Sequence, residues 1–300
     1  MTAQWLNGAE SPAQLTTEFR SVIGSGKATA VAGAWDGISA VLAKKAGFKA
    51  LYLSGAALSA SMALPDLGLL TLEDVWRAAR TVIRASGLPL IVDCDTGFGE
   101  ALNVMRLVKE MESIGVVAVQ IEDQQFPKKC GHLNDKRLVS AEDMVRKVSS
   151  ARHASDKLAI CARTDAAFVS LDEAIHRARL YREAGADLIF VEALTNLDDI
   201  KRVRDSVDGP LLANMTEFGR TPQIPLTQWQ ELGYELVIYP VSALRVAAQA
   251  MERFYGSLAQ RGDVSEYLPS MMTRAELYER IGYFDYEKLD ALIAETVLPG

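Results

Sequence analysis

One cysteine of this chain lies in a sequence context that could support chemistry. Cys130 falls within the polar segment Lys-Lys-Cys-Gly-His at positions 128–132. Basic side chains beside a thiol lower its pKa, and the glycine permits an unusual backbone conformation and hinge motion. The segment therefore predicts a reactive cysteine, with an ordinary surface cysteine in a basic loop as the alternative. Cys94 and Cys161 stand within apolar runs and are predicted to be inert.

Carboxylates form a second group of candidate residues. Asp93 and Asp95 are two positions apart, so on a strand their side chains point the same way, and Glu122 ends the next predicted strand. Three unpaired carboxylates would repel one another, and a hard divalent cation, Mg²⁺ or Mn²⁺, resolves that repulsion. The alternative is a structural cluster neutralised by Arg or Lys, for which Arg163 is the obvious partner.

Short apolar runs alternate with longer amphipathic stretches, and these elements must position the candidates. Continuous apolar runs are typical of parallel strands buried on both faces. Glycines 47, 115, 185 and 233 each precede a strand, as expected of left-handed helix ends. Eight such units predict a closed (β/α)₈ barrel of the TIM type, with an open doubly wound sheet as the alternative. The eight runs are 28–35, 50–53, 88–92, 116–121, 158–162, 187–191, 210–213 and 235–239.

Most of the unusual polar residues follow the end of a predicted strand. In a barrel all these strand ends meet at one rim, which carries the active site. Turns are polar in general, but that alone does not predict carboxylates interleaved with arginines. The residues are Ser54, Gly55, Asp93, Asp95, Glu122, Asp123, Arg163, Thr164, Asp165, Glu192, Asn214, Thr216, Glu217, Ser242 and Arg245.

Length and composition set the broader class of protein. The 300 residues suit one barrel domain, and the net charge of −7 argues against a nucleic-acid partner. We find no signal peptide and no run of about 18 apolar residues, so we expect a cytoplasmic protein with no membrane partner. Positions 243–300 predict a helical extension, with helices at 244–258, 274–281 and 286–297. These helices could pack on a partner subunit or cap their own barrel.

Nine segments of the chain together resemble the isocitrate lyase/phosphoenolpyruvate mutase superfamily, and the similarity runs from about residue 28 to residue 292. The segment at 128–132 is the most specific, because it resembles the catalytic loop of the lyases of that superfamily and is absent from its mutases and phosphonate hydrolases. Two positions depart from the usual pattern: Ala56 replaces a glycine, and Val191 replaces a proline. The segments are 52–55, 64–68, 93–99, 120–124, 128–132, 162–166, 214–219, 239–242 and 272–277.

The resemblance implies a fold, an assembly and a reaction. It implies a (β/α)₈ barrel in a homotetramer, with C-terminal helices exchanged between neighbouring subunits. It implies a Mg²⁺-dependent carbon–carbon lyase that cleaves the tricarboxylate 2-methylisocitrate to pyruvate and succinate in propionate catabolism. Isocitrate or 2,3-dimethylmalate as substrate, or a non-catalytic barrel that binds dicarboxylates, are the alternatives; the cysteine segment argues against an oxaloacetate-type decarboxylase.

The resemblance also implies roles for individual residues. Cys130 would donate a proton to a succinate-like anion from a mobile loop, and Tyr52 or a metal-bound water would take the hydroxyl proton. The metal-binding set would be Asp93, Asp95 and Glu122. The other catalytic residues would be Lys128, His132 and Arg163. The substrate-binding set would be Ser54, Gly55, Ala56, Cys130, Gly131, Arg163, Glu192, Asn214, Thr216, Arg245 and Arg274. Phe190 and Ile238 would line the pocket for the methyl group.

Overall fold

Eight parallel strands form the centre of the protein. The computed structural model describes residues 11–294. The strands run in the order β6-β5-β4-β3-β2-β1-β8-β7, and a parallel bridge between Ile189 and Leu211 joins β6 to the start of β7. The ring is thereby closed, as the alternation of elements predicts. The strands are β1 Thr29–Gly33, β2 Leu51–Leu53, β3 Leu90–Asp93, β4 Ala118–Glu122, β5 Ala159–Thr164, β6 Leu188–Val191, β7 Leu212–Asn214 and β8 Leu236–Tyr239.

Helices surround the strands, and their sequences explain where they begin and end. Ser, Thr, Asp or Asn caps the N-terminus of most of them, and the glycines at 47, 115, 185 and 233 have positive φ, as predicted for left-handed helix ends. The helices are α1 Pro12–Ile23, α2 Gly37–Lys45, α3 Gly55–Ser61, α4 Leu72–Ser86, α5 Ala101–Ser113, α6 Ala141–Ala154, α7 Leu171–Glu183, α8 Leu197–Ser206, α9 Leu226–Glu231, α10 Ser242–Arg261, α11 Arg274–Ile281 and α12 Tyr283–Ala294.

Strand register places charged residues at one level of the barrel rim. Glu122 at the end of β4 pairs with Arg163 on β5, and Arg163 pairs with Phe190 on β6. The strand segments below this level are apolar and buried, as the sequence predicts for a parallel sheet covered by helices. The apolar core therefore supports a rigid ring of strand ends on which the polar residues stand.

The C-terminal helices are the least buried part of the fold. Helix α10 buries the Leu244 side chain, whereas Val246, Met251 and Tyr255 are exposed. Helix α11 contacts α2 of the same chain. Positions 295–297 of the third predicted helix lie outside the described residues. Exchange of these helices between subunits, and the treatment of 243–300 as an extension of a single domain, stay predictions.

Within residues 11–294, none of the helices has both the length and the apolar character that crossing a bilayer requires.

Candidate active site

A cavity of about 80 Å³ opens at the carboxyl ends of the strands. Its wall combines carboxylates, basic residues, one thiol and an apolar side, a mixture that suits a small anionic ligand. Most of the residues that the sequence predicts for the site line it. Those residues are Tyr52, Ser54, Ala56, Asp93, Lys128, Cys130, Gly131, His132, Arg163, Phe190, Glu192, Asn214, Thr216, Ile238 and Arg245.

Asp93 and Asp95 converge on Gly55. The amide of Gly55 donates to Asp93 Oδ2 at 3.2 Å, and a Cβ atom at Gly55 would lie 3.1 Å from Asp95 Oδ1. The predicted reason for this convergence was wrong. It assumed that both aspartates lie on one strand, whereas β3 ends at Asp93 and Asp95 lies beyond it. Instead Asp95 adopts a left-handed backbone with φ of 48°, and this turn brings its side chain back beside Asp93.

Lys128 extends into this acidic region. Its ammonium group lies 2.8 Å from Asp95 Oδ1 and forms a close ion pair with Asp66. Burial lowers the pKa of Lys128, but Asp95, Glu122, Asp93 and Asp66 together raise it well above its usual value. Burial likewise raises the pKa of Asp95 to about 6, although Lys128 acts in the opposite direction. The lysine therefore serves as the local counter-charge of the carboxylates.

Glu122 does not join the two aspartates. Its Oε2 lies 3.3 Å from Arg163 Nε, as the alternative of an arginine-neutralised cluster anticipates. Among residues 11–294, no three His, Cys, Asp or Glu side chains stand close enough together to enclose a metal ion. The predicted set of Asp93, Asp95 and Glu122 is therefore not gathered into one ligand cluster.

The donor chemistry nevertheless fits a hard cation. Glu122 Oε1 is buried and accepts no hydrogen bond, and burial raises the pKa of Glu122. Buried carboxylate oxygens without donors are costly unless a cation satisfies them. Oxygen ligands of this kind suit Mg²⁺ or Mn²⁺ rather than a softer metal.

Tyr52 and Gln120 fix the orientation of Asp93. The Tyr52 hydroxyl donates to Gln120 Oε1 at 2.8 Å, and Gln120 Nε2 donates to Asp93 Oδ1 at 3.3 Å. Burial and the nearby Asp93 charge raise the pKa of Tyr52 well above its usual value. A tyrosine that stays protonated and donates its hydroxyl hydrogen to Gln120 is poorly suited to act as a base. This argues against the predicted role of Tyr52 as acceptor of the substrate's hydroxyl proton.

The Cys130 thiol is neutral, contrary to the sequence-based prediction of a lowered pKa. Burial raises the pKa of this half-buried thiol by more than the His132 amide and Arg163 lower it. Lys128 does not assist, because its charge is directed to Asp66 and Asp95. A protonated thiol is a proton donor in its resting state. Cys94 and Cys161 are buried, as predicted.

Gly131 lies in close contact with the rim of the barrel. A Cβ atom at this position would approach Arg163 Nη2 to 2.3 Å and Glu192 Cγ to 2.4 Å. Its carbonyl accepts a close hydrogen bond from Lys136, which also bonds Asp165 Oδ1 at 2.8 Å. A larger residue at this position would therefore clash with Arg163 and Glu192 when the loop is docked. This close contact, and not a positive φ, explains why residue 131 is a glycine.

His132 is held as a neutral imidazole. Burial lowers its pKa by more than Glu192 raises it. The Arg220 amide donates to His132 Nδ1 at 3.0 Å, so the ring proton is on Nε2, which lies 3.4 Å from Glu192 Oε1. The histidine thereby faces the same carboxylate that Arg163 Nη1 approaches at 3.3 Å.

We call residues 125–137 the cysteine loop, and buried contacts fix both of its ends. The amide of residue 125 bonds the carbonyl of residue 137, and the amide of Val139 bonds the carbonyl of Asp123 at 3.0 Å. The Asp123 carboxylate, fully buried, accepts from Tyr181 at 2.8 Å and from Arg177 at 3.2 Å. Arg177 also donates to the Val139 carbonyl at 2.9 Å. These bonds hold the loop's two ends together and leave its middle to reach over the cavity.

The far side of the cavity carries the remaining predicted residues. Asn214 Nδ2 donates to Glu192 Oε2 at 3.2 Å, and Arg245 Nη1 donates to Thr216 Oγ1 at 3.1 Å. Phe190 and Ile238 both line the wall, where Pro240 and Val241 extend the apolar surface. Hydrogen-bond donors and an apolar face thus lie opposite the acidic region.

Arg274 is one of four predicted site residues that do not line the cavity. It begins α11, is exposed and is absent from the cavity wall. Gly55 and Asp95 lie next to Asp93 without lining the cavity, and Glu122 does not line it either. An arginine on a distant helix can reach the site only from another copy of the chain or after a change of conformation.

The sequence reasoning missed several site residues. Gln120 gave a detectable signal, since it is an amide inside an otherwise apolar strand. Asp66 lies in segment 64–68, which contributes to the family resemblance, but the sequence predicted no role for it. Lys136 gave no signal, because a lysine in a polar loop reads as a solvated residue.

The fold and site define an α/β-barrel protein with a small, charged cavity closed by a loop that carries a cysteine. The sequence of residues 19–259 matches the phosphoenolpyruvate phosphomutase family. The chain belongs to this family.

Relatives within the family cover almost the whole chain. The 2-methylisocitrate lyase of Bacillus subtilis is 48% identical over 297 residues, which are 98% of this chain and 99% of that protein. A solved structure of 2,3-dimethylmalate lyase superposes with a TM-score of 0.87 at 34% identity, covering 93% of this chain and 95% of that one. A phosphonopyruvate hydrolase in complex with oxalate and Mg²⁺ superposes with a TM-score of 0.83 at 30% identity, covering 93% and 98%.

Proposed function

We propose that this protein is a carbon–carbon lyase that cleaves 2-methylisocitrate to pyruvate and succinate. The observation that carries the proposal is 48% identity to a 2-methylisocitrate lyase across nearly the full length of both chains. The cavity supports it, because it presents a protonated thiol, buried arginine and an apolar wall to one small space. We further propose a tetramer, a cytoplasmic location and a role in propionate catabolism.

The proposed cofactor is Mg²⁺, with Mn²⁺ as the alternative. Asp93 and Asp95 would hold the ion, with Glu122 nearby, and the unpartnered Oε1 of Glu122 supports this assignment. When bound, the ion would act as a Lewis acid that orients the pyruvate part of the substrate. A magnesium ion accompanies oxalate in the phosphonopyruvate hydrolase structure.

In the proposed reaction the 2-hydroxyl group gives its proton to a water molecule, a carbonyl forms, and the bond to the neighbouring carbon breaks. The bonding electron pair is left beside a carboxylate and gives a succinate-like anion. Cys130 would donate its thiol proton to this carbanion, and the raised thiol pKa keeps that proton in place until the carbanion forms. Arg163 would stabilise the negative charge, since the guanidinium is buried and fixed by Asp165 at 3.0 Å.

The docked loop would protect this anion from solvent. Closure of a loop over an active site excludes water and so limits protonation from the wrong donor. Ser54, Ala56 and Asn214 line the cavity and would bind the substrate oxygens, while Phe190 and Ile238 would surround the methyl group. One methyl group changes specificity by about 1–3 kcal/mol, so this part of the pocket tunes the preference.

Release of pyruvate from 2-methylisocitrate by the purified protein tests the proposal. We expect release with Mg²⁺ present, loss with a chelator, and recovery when Mg²⁺ is restored. No pyruvate release under any of these conditions would favour a non-catalytic, dicarboxylate-binding barrel. The similarity to 2,3-dimethylmalate lyase makes that compound the second candidate substrate.

A further inference from the structure

We propose that Arg220 is a positioning residue that latches the cysteine loop in its docked position. The inference rests on the proposed function, because it concerns the same loop and thiol. Arg220 follows β7, whereas the cysteine loop follows β4, so the contact joins two separate parts of the rim.

Arg220 binds the loop through its backbone and its side chain. Its amide donates to His132 Nδ1 at 3.0 Å, its Nε donates to the His132 carbonyl at 3.1 Å, and its Nη2 forms a close bond with Asn134 Oδ1. These three bonds hold His132, which directly follows Gly131, and Asn134, two residues further along the loop. A guanidinium can make such forked contacts, whereas a lysine ammonium acts from one point.

The neighbouring glycine makes close approach possible. A Cβ atom at Gly219 would lie 2.9 Å from both His132 Cε1 and His132 Nδ1. The imidazole therefore packs directly on the backbone at 219–220. Because Nδ1 accepts the Arg220 amide, the latch also fixes the proton on Nε2, which faces Glu192.

The same segment is tied to the substrate side of the cavity. Glu217 forms an ion pair of 2.6 Å with Arg245, and Arg245 bonds Thr216 Oγ1 at 3.1 Å. Thr216 and Arg245 line the cavity. The Arg220 latch thus connects the position of the Cys130 thiol to the residues proposed to bind the substrate.

Reaction of the native protein with a thiol reagent such as DTNB measures the latch directly. Cys94 and Cys161 are fully buried, so a fast phase reports Cys130, and its absence in Cys130→Ser verifies the assignment. Arg220→Ala removes two of the three bonds but keeps the amide. We expect its fast phase to accelerate about threefold to tenfold, as the loss of surface-exposed hydrogen bonds would give.

Matched variants separate the latch from a general loss of structure. Arg220→Lys should be labelled at a rate between those of the parent and Arg220→Ala. The kcat should be highest in the parent, lower in Arg220→Lys and lowest in Arg220→Ala. Asn134→Ala should accelerate labelling less and add little when combined with Arg220→Ala. Arg77→Ala, which removes an exposed arginine paired to Glu73 on α4, should leave both rates unchanged.

An unchanged fast phase in Arg220→Ala would overturn the latch, whatever the activity of the parent protein. Faster labelling in a protein that releases no pyruvate would uphold the latch and overturn the proposed lyase reaction. The labelling assay needs no substrate, so the two conclusions are tested separately.

Discussion

Cys130 carries the chemistry that distinguishes this site at the scale of single residues. Its thiol is half-buried, and burial raises its pKa, so the proton is available for donation near neutral pH. The sequence placed basic residues beside it, but Lys128 neutralises Asp66 and Asp95 instead. The environment therefore favours a proton donor rather than a thiolate nucleophile.

Replacement of Cys130 by Ala or Ser should reduce turnover by roughly 10²- to 10⁴-fold, the usual contribution of a general acid. Binding of Mg²⁺ should be largely unchanged, because the carboxylates and not the thiol are proposed to hold the ion. Asp135→Asn on the same loop serves as the control, since asparagine tolerates the left-handed φ of 58° at that position. Normal turnover in the Cys130 variants would remove the thiol from the mechanism.

Gly131→Ala should prevent the cysteine loop from docking. The added Cβ would overlap Arg163 and Glu192 at 2.3 Å and 2.4 Å, so the loop must move away by about 1 Å or more. We expect a fall in kcat of about 100-fold, as small displacements of catalytic groups give. Gly37→Ala is the matched control, because its Cβ would lie 3.6 Å from Ala85 Cβ, an ordinary contact. Equal kcat values in the two variants would contradict the docking argument.

At the scale of elements, the sequence predicted the features that depend on residues close together in the chain. Helix α11 Arg274–Ile281 begins and ends where the sequence predicts, because its cap and its apolar spacing are local to that helix. The eight strands lie within one or two residues of the predicted runs for the same reason.

Contacts between distant segments could not be predicted in this way. The left-handed turn at Asp95, the ion pairs of Lys128 and the contact of Gly131 with Arg163 depend on how separate loops meet at the rim. The spacing of apolar residues along the chain carries no information about such contacts between loops. The metal-binding set stays a prediction, because the sequence offers Glu122 both a cation and Arg163 as partners, and the structure shows the contact with Arg163.

The buried network behind β4 and β5 should contribute measurably to stability. Tyr181→Phe removes a 2.8 Å hydrogen bond to the fully buried Asp123 carboxylate. We expect the free energy of unfolding to fall by about 1.5–3 kcal/mol, the usual range for a bond to a charged group. Tyr234→Phe is the control in urea unfolding, since it removes a 3.3 Å bond to the neutral Ile200 carbonyl. A larger loss for the control would refute the role of Asp123.

At the scale of the whole molecule, the exposed apolar side chains of α10 and α11 require an explanation. Met251, Tyr255 and Leu277 are among them, and the concentration of such side chains in one terminal region favours a subunit interface. Arg274 lies in the same region and does not line the cavity of its own chain. A partner subunit would account for both observations.

Sedimentation analysis should therefore give a mass roughly four times the 32.7 kDa of one chain. Met251→Asp should shift the protein to smaller species, because a charge at a buried contact is costly. Arg77→Asp, which replaces an exposed arginine on α4, is the control and should keep the parent mass. A parent protein that sediments as a monomer would contradict the predicted assembly.

Comparison of kcat/KM for 2-methylisocitrate, isocitrate and 2,3-dimethylmalate tests the central claim most directly. We predict that 2-methylisocitrate is preferred and yields pyruvate and succinate in equal amounts. The preference over isocitrate should be about 10- to 200-fold, the discrimination that one methyl group allows in an apolar pocket such as that of Phe190 and Ile238. A higher kcat/KM for isocitrate or 2,3-dimethylmalate would contradict the account.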